Sequence, residues 1–420
     1  MNIAEVVAQV ARAVPSRPAV TSRGRTASYG VFWDRTRRIA GALRAVHGLR
    51  PGDRVALCME NCGEFLEALF ACWAAGLCAV PVNAKLHPKE VAFIAEDSGA
   101  RLLFTTAGLH GALSGLAGGA VGPEAVLCVE DDAYAAMARS DPAPVHAAAP
   151  EDEAWIFYTS GTTGRPKGAA LTHRNLLFMS HCYYADIDHL DETDTKLHAA
   201  PLSHGSGLYA LPHMFRGGHQ VVLTGFDPAE VLAAIRRHPN VTLFGAPTMV
   251  ARLVNSPEAG SADTRNLKTL YYGGGPMYLA DLERALALFG PKLFQVFGQG
   301  ESPMTITGLS KRHHADSAHP RFRERLASCG VARTGVAFRV VDDAGRELPP
   351  GEVGEVVTRS DCVMKGYWTN PEATGRALRG GWLHTGDLGS ADEDGFLTLR
   401  DRSKDMIISG GSNIYPREIE

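Results

Sequence analysis

Apolar and polar positions along the first hundred residues follow two periods in turn. Residues 29–43 place Phe32, Ile39 and Leu43 on one face, which is the spacing of a helix. Pro51-Gly52-Asp53 marks a turn, and Arg54-Val55-Ala56-Leu57-Cys58 reads as a strand. Residues 64–75 then read as helix, 79–82 as strand, 88–98 as helix and 102–104 as strand. This alternation predicts a mostly parallel sheet covered on both faces. Residues 132–152, rich in Ala and Pro, read as a surface loop. The pattern resumes with a strand at 154–158 and a helix at 175–186. Strands at 221–223, 241–244, 269–272 and 292–296 follow, separated by helices at 228–237, 248–254 and 279–288. Beyond residue 330 the texture changes to short strands at 338–343, 354–358 and 396–399 between Gly and Asp turns, as in a small antiparallel barrel. The expected fold class is α/β. Two α/β subdomains, residues 1–195 and 196–330, precede a β-barrel subdomain at 331–400.

With 420 residues and 45% hydrophobic content, the chain can bury more than one core. Forty-two basic against 46 acidic side chains leave a net charge of −4, so no basic excess points to nucleic acid. The eight cysteines form no Cys-x-x-Cys pair, which suits free thiols in a reducing cytosol. No His/Cys cluster has zinc spacing. The N-terminus lacks the basic start and apolar run of a secretory leader. The most apolar stretch, 67–82, contains Gly76 and Pro81 and is too short for a membrane span. A soluble, cytoplasmic protein is the expectation.

Candidate chemistry concentrates in Tyr158-Thr159-Ser160-Gly161-Thr162-Thr163-Gly164-Arg165-Pro166-Lys167-Gly168. A strand runs into a loop with three glycines, four hydroxyls and a lysine. Glycines let the backbone approach an anion, N–H groups and hydroxyls wrap phosphate oxygens, and Lys167 adds a compact positive charge. This is no Walker loop, because Gly168 stands where that pattern needs Ser or Thr. Three further segments share the sequence's chemical emphasis: Tyr271-Tyr272-Gly273-Gly274-Gly275-Pro276, Phe297-Gly298-Gln299-Gly300-Glu301 and Trp382-Leu383-His384-Thr385-Gly386-Asp387. They offer a glycine slot at a strand end, an aromatic with a nearby carboxylate, and an aspartate on a turn. Each alone also reads as an ordinary turn or solvated acid.

Taken together and in this order, these segments resemble the superfamily of acyl-CoA synthetases, peptide-synthetase adenylation domains and firefly-type luciferases. The likeness runs along essentially the whole chain and is strongest to the acyl-CoA ligases. It implies the large domain of an adenylate-forming enzyme that uses ATP, Mg2+ and CoA to activate a small-molecule carboxylic acid. The resemblance gives Thr159, Ser160, Gly161, Thr162, Thr163, Gly164 and Lys167 to the phosphates. Gly273, Gly274, Gly275, Pro276, Phe297 and Gly298 go to adenine, Asp387 and Arg402 to the ribose, and Glu301 to the metal. His204, within Pro201-Leu202-Ser203-His204-Gly205, would sit beside the acyl group or the thiol route. Thr159, Lys167, His204 and Glu301 form the expected catalytic set. One departure is Gly300, where the family usually carries Thr; Ser302 could supply a substitute hydroxyl.

Asp401-Arg402-Ser403-Lys404-Asp405 resembles the family's hinge, with Lys404 at the pivot and Gly410-Gly411 opening a small C-terminal domain over 401–420. About a hundred residues of that domain, including its lysine, would follow in the family. The expectation is a chain that binds ATP but adenylates slowly. The acid pocket would draw on residues 203–208, 244–247, 272–275 and 299–304, which contain no Lys or Arg, so a fatty or aryl monocarboxylate is expected. Loading of a carrier protein and nucleotide binding without catalysis are the two alternatives. A homodimer is left open.

Overall fold

The computed structural model describes residues 1–118, 122–159, 165–402, 407–409 and 412–414, those from 401 onward in backbone only. Two large sheets and one small one carry the chain. The first sheet has seven strands. Its parallel centre is Glu153–Thr159, Cys78–Val82, Arg54–Cys58, Ala100–Thr105 and Ala125–Cys128. Lys167–Thr172 and Gly366–Tyr367 extend it antiparallel at one edge. The second sheet has nine strands, parallel from Leu293–Gln299 through Leu267–Tyr272, Val241–Gly245, Thr195–His198 and His219–Val222 to Pro18–Ser22. Ser302–Leu309 and Val331–Ala332 close it antiparallel on one side, and Arg25–Ser28 on the other.

Helices cover these sheets because their apolar positions recur at helical spacing. The helix Gly63–Ala74 is an extreme case: Phe65 through Ala74 are all buried, Glu67 included. Glu67 is neutralised by a two-point contact from Arg35, Nε to Oε1 at 2.6 Å and Nη2 to Oε2 at 3.0 Å. Strands buried on both faces read as continuous apolar runs, as in Cys78–Val82, where all five residues are buried.

The third sheet is an antiparallel half-barrel. Ala337–Val341, Gly354–Arg359, Trp382–Ala391 and Leu378–Arg379 follow one another, and Leu397–Arg402 pairs with Trp382–Ala391. The fold class thus matches the α/β expectation with an antiparallel unit at the C-terminal side. Two details differ from the sequence reading. The segment read as a loop from residue 132 begins with the helix Asp132–Met137, which buries Tyr134 and Met137 against the core. The N-terminal hairpin of Pro18–Ser22 and Arg25–Ser28 belongs to the second sheet, pairing parallel to His219–Val222. Among the described residues no helix is long and apolar enough to cross a membrane.

Candidate active site

The strands Glu153–Thr159 and Lys167–Thr172 form a hairpin in which Thr159 lies opposite Lys167. Residues Ser160, Gly161, Thr162, Thr163 and Gly164, expected to wrap phosphates, lie outside the described residues; Thr159 and Lys167 are the two posts of that loop. The next strand, Gly366–Tyr367, pairs against the same hairpin, Tyr367 opposite Ala169. This brings the Tyr367 ring beneath Lys167, whose Nζ stands 4.5 Å from the ring centroid. The Tyr367 hydroxyl donates to Glu301 Oε1 at 2.7 Å, and Thr159 Oγ1 donates to the same oxygen at 3.2 Å. Glu301 is only 8% exposed and follows the second sheet's strand Leu293–Gln299, so its carboxylate joins the ends of the two sheets. Burial first, then the charge of Glu301, raises the Tyr367 phenol pKa, which keeps that group a donor.

Beside this carboxylate, Gly300 has no room for a side chain. A Cβ there would lie 2.4 Å from Thr159 Cγ2 and 2.6 Å from Phe157 Cδ1. The position that resembles a threonine site is therefore filled from the neighbouring strand. The Phe157 ring also meets the His204 ring edge-on, 5.3 Å between centroids. His204 Nδ1 lies 2.8 Å from Ser203 Oγ, and burial lowers its pKa, so the ring is neutral near pH 7. Ser302 is fully buried, which removes it as a source of the missing hydroxyl at the surface of the site.

Where the second sheet meets the half-barrel, Gln299 Nε2 donates to Asp387 Oδ2 at 2.7 Å and to the Thr385 carbonyl at 2.9 Å. The Thr385 hydroxyl donates to the Val356 carbonyl at 2.6 Å and accepts from the Asp387 N–H at 3.1 Å. Asp387 is thereby oriented by the half-barrel and by the second sheet at once. Arg402 sits opposite Asp387 in the backbone ladder; its side chain, with Lys404, Gly410 and Gly411, lies outside the described residues. Phe297 is 8% exposed and packs with Ile306, Val340, Val356 and Leu397, so most of its ring is core. Gly298 is forced: a Cβ there would stand 2.6 Å from both the Met304 nitrogen and the Ser302 carbonyl oxygen. Gly273 packs equally tightly, with Val296 O at 2.2 Å from a Cβ, whereas Gly274 (φ +81°), Gly275 and Pro276 face outward as an open edge.

Sequence reasoning missed Tyr367 and Phe157 as parts of the site, and it placed Gln299 in the acid pocket without foreseeing its bond to Asp387. Their signal is tertiary. Tyr367 reaches Glu301 across 66 positions of chain. Its own placement depends on Asn175, which completes the capping box of helix His173–Asp186 and donates from Nδ2 to the Asp361 and Val363 carbonyls at 2.8 and 2.9 Å.

Among the described residues no group of three or more His, Cys, Asp or Glu side chains converges on a metal position. Glu301 instead offers one buried carboxylate whose two protein donors both fall on Oε1. A single carboxylate fits Mg2+, which keeps waters and takes phosphate oxygens from its substrate, and does not fit a resident zinc.

Comparison with known proteins identifies the family. The chain belongs to the AMP-binding enzyme family, whose model matches residues 7–368. It is 38% identical over 412 residues to a feruloyl-CoA synthase of an Amycolatopsis species, covering 98% of this chain and 80% of the relative. It is 36% identical over 414 residues to a fatty acid–[acyl-carrier-protein] ligase of Streptomyces coeruleorubidus, covering 97% of this chain and 78% of that protein. Its fold superposes on O-succinylbenzoate coenzyme A synthetase from Bacillus subtilis in complex with AMP, with a TM-score of 0.87 and 31% identity, over 99% of this chain and 82% of the other.

Proposed function

We propose that this AMP-binding enzyme is an AMP-forming acid–thiol ligase that activates a fatty or aryl monocarboxylate and transfers it to CoA. The observation that carries the reading is the convergence of Thr159 and Tyr367 on the buried Glu301, with Lys167 over the Tyr367 ring and the Gln299–Asp387 pair alongside. In the first half-reaction the substrate carboxylate attacks the α-phosphorus of ATP, and pyrophosphate leaves. In the second, the thiol attacks the acyl carbon of the mixed anhydride, and AMP leaves.

The protein supplies position and charge rather than a nucleophile. Lys167 and the Thr159 hydroxyl hold phosphate oxygens at the end of the hairpin, with the loop between them. Asp387, fixed by Gln299, accepts the ribose hydroxyls; Gly274 to Pro276 border adenine. Glu301 would hold Mg2+, which when bound neutralises charge on the phosphates. Neutral His204, braced by Ser203 and Phe157, borders the acyl carbon without offering it a charge. Subdomain limits of 1–195, 196–330 and 331–400 are the proposed division of the chain, with two exchanges: the hairpin of residues 18–28 joins the second sheet, and Gly366–Tyr367 joins the first. A cytoplasmic location is supported by eight free cysteines, seven of them buried.

Gly205, Phe244 and Met304 leave an apolar wall without a cation, which favours an acid with one carboxylate. The similarity to the Streptomyces coeruleorubidus ligase supports a second reading, in which a carrier protein replaces CoA as acceptor. Calorimetric ATP binding, followed by mass spectrometry of products from a panel of fatty, aryl and dicarboxylic acids, separates these. ATP binding with acyl-CoA formed from one acid class is expected. Adenylate without CoA thioester points to the carrier. A chain that binds no ATP, or whose Glu301→Gln variant keeps full magnesium-dependent pyrophosphate release, refutes the assignment.

A further inference from the structure

Met304 holds φ at +60°, a left-handed conformation that crowds the Cβ of an L-residue against the backbone and that such residues rarely adopt. Its carbonyl accepts two hydrogen bonds, from Arg333 Nη1 at 3.1 Å and from the Tyr209 hydroxyl at 3.3 Å. Arg333 is 3% exposed, and its fork is used on every side. Nε donates to Asp186 Oδ2 at 2.6 Å, Nη2 to the Cys182 carbonyl at 2.9 Å, and the guanidinium lies 5.3 Å above the Phe294 ring. One planar cation thus ties the end of helix His173–Asp186 to strand Ser302–Leu309.

The pinned residue faces the acid-binding wall. A Cβ on Gly205 would lie 3.2 Å from Met304 Sδ, 3.3 Å from its Cε and 3.5 Å from Phe244 Cζ. Turning Met304 to a negative φ would swing that thioether away from Gly205. We propose that Arg333 is a positioning residue: by gripping the Met304 carbonyl it keeps Met304 left-handed and its thioether against Gly205 and Phe244, and so sets which acids the site accepts. This rests on the acid-activating reading above.

Two variants test it. Arg333→Lys keeps the charge beside Asp186 but replaces the fork with a single point donor. Tyr209→Phe keeps Arg333 but removes the second bond to the Met304 carbonyl, together with the 3.4 Å bond that Arg333 Nη1 donates to the Tyr209 hydroxyl. Crystal structures of both give the Met304 φ directly, whatever acid is turned over. Steady-state kinetics give kcat/KM for a straight-chain and an aryl acid, with the KM for ATP as internal control. In Arg333→Lys, Met304 is expected to relax to negative φ. The ratio between the two acids should then shift about tenfold, while the ATP KM stays within about twofold. Tyr209→Phe should move the ratio the same way by less. A lysine variant with Met304 still near its present φ, or with a lowered Tm but an unchanged acid ratio, overturns the proposal. Should that variant fail to fold, Tyr209→Phe decides, and an unchanged ratio overturns the proposal. If no acid is activated by the wild type, the functional reading fails, while the two crystal structures still decide the role of Arg333.

Discussion

Replacing Gly300 with Thr would add the side chain that the resembling family carries there, and the structure says it should do harm. Its Cβ would enter at 2.4 Å from Thr159 Cγ2 and 2.6 Å from Phe157 Cδ1. Carbon atoms rest at about 3.5–4.0 Å, so each contact is short by about 1 Å. Overpacking of this kind costs about 1–3 kcal/mol. The cheapest relief is rotation of Thr159, which breaks its 3.2 Å bond to Glu301 Oε1. A hydrogen bond to a charged group is worth about 1.5–3 kcal/mol, and that loss falls on the site. Acid-dependent pyrophosphate release should therefore drop about ten- to a hundredfold. Calorimetry should also show a lower Tm. Adding Thr159→Ser keeps the hydroxyl and deletes Cγ2, so the double variant should recover part of the rate. A Gly300→Thr enzyme as active as the wild type, or better, would refute the reasoning and restore the simple view that a hydroxyl is missing.

Gln299→Glu places a second carboxylate 2.7 Å from Asp387 Oδ2, so the KM for ATP should rise about tenfold with the acid KM unchanged; an unaltered ATP KM counts against the ribose role of Asp387. Burial lowers the pKa of His173 to about 4, His198 to about 3 and His314 to about 4. With His219, also lowered to about 4 by burial, the unfolded chain below about pH 6.5 binds at least four protons that the native one refuses, so stability should fall by about 5 kcal/mol per pH unit down to roughly pH 4. A Tm that stays flat from pH 7.5 to 5 contradicts this. Lys196 is fully buried, with its amine on the Tyr271 hydroxyl and its pKa pushed well below the ordinary range by burial. The native amine is therefore less protonated than the unfolded one, which costs stability until the pH nears about 10.4. Lys196→Met should raise the Tm at pH 7, with a gain that shrinks toward pH 10; a lower Tm at pH 7 would mean that the buried amine is stabilising.

The sequence by itself determined the elements whose signals are local. Periodicity and turn residues place Arg54–Cys58, Pro88–Ser98 and Pro228–Arg237 at the bounds the structure has. Pro at the first turn of the last two, with His87 and Asp227 as caps, explains why those starts were sharp. Resemblance in motif order, more than any one motif, is what proposed Lys167, Glu301 and Asp387 for phosphate, metal and ribose. What only the tertiary structure decided was which edges pair and which side chains meet. A strand's apolar pattern records that it is buried, not which sheet buries it, so the N-terminal hairpin's place beside His219–Val222 could not be read. Tyr367 on Glu301, Phe157 filling the space at Gly300, and Arg333 holding Met304 all join residues 29 to 143 positions apart, and none leaves a periodic or compositional trace. Such contacts exist only once close packing fixes distances to within a fraction of an ångström.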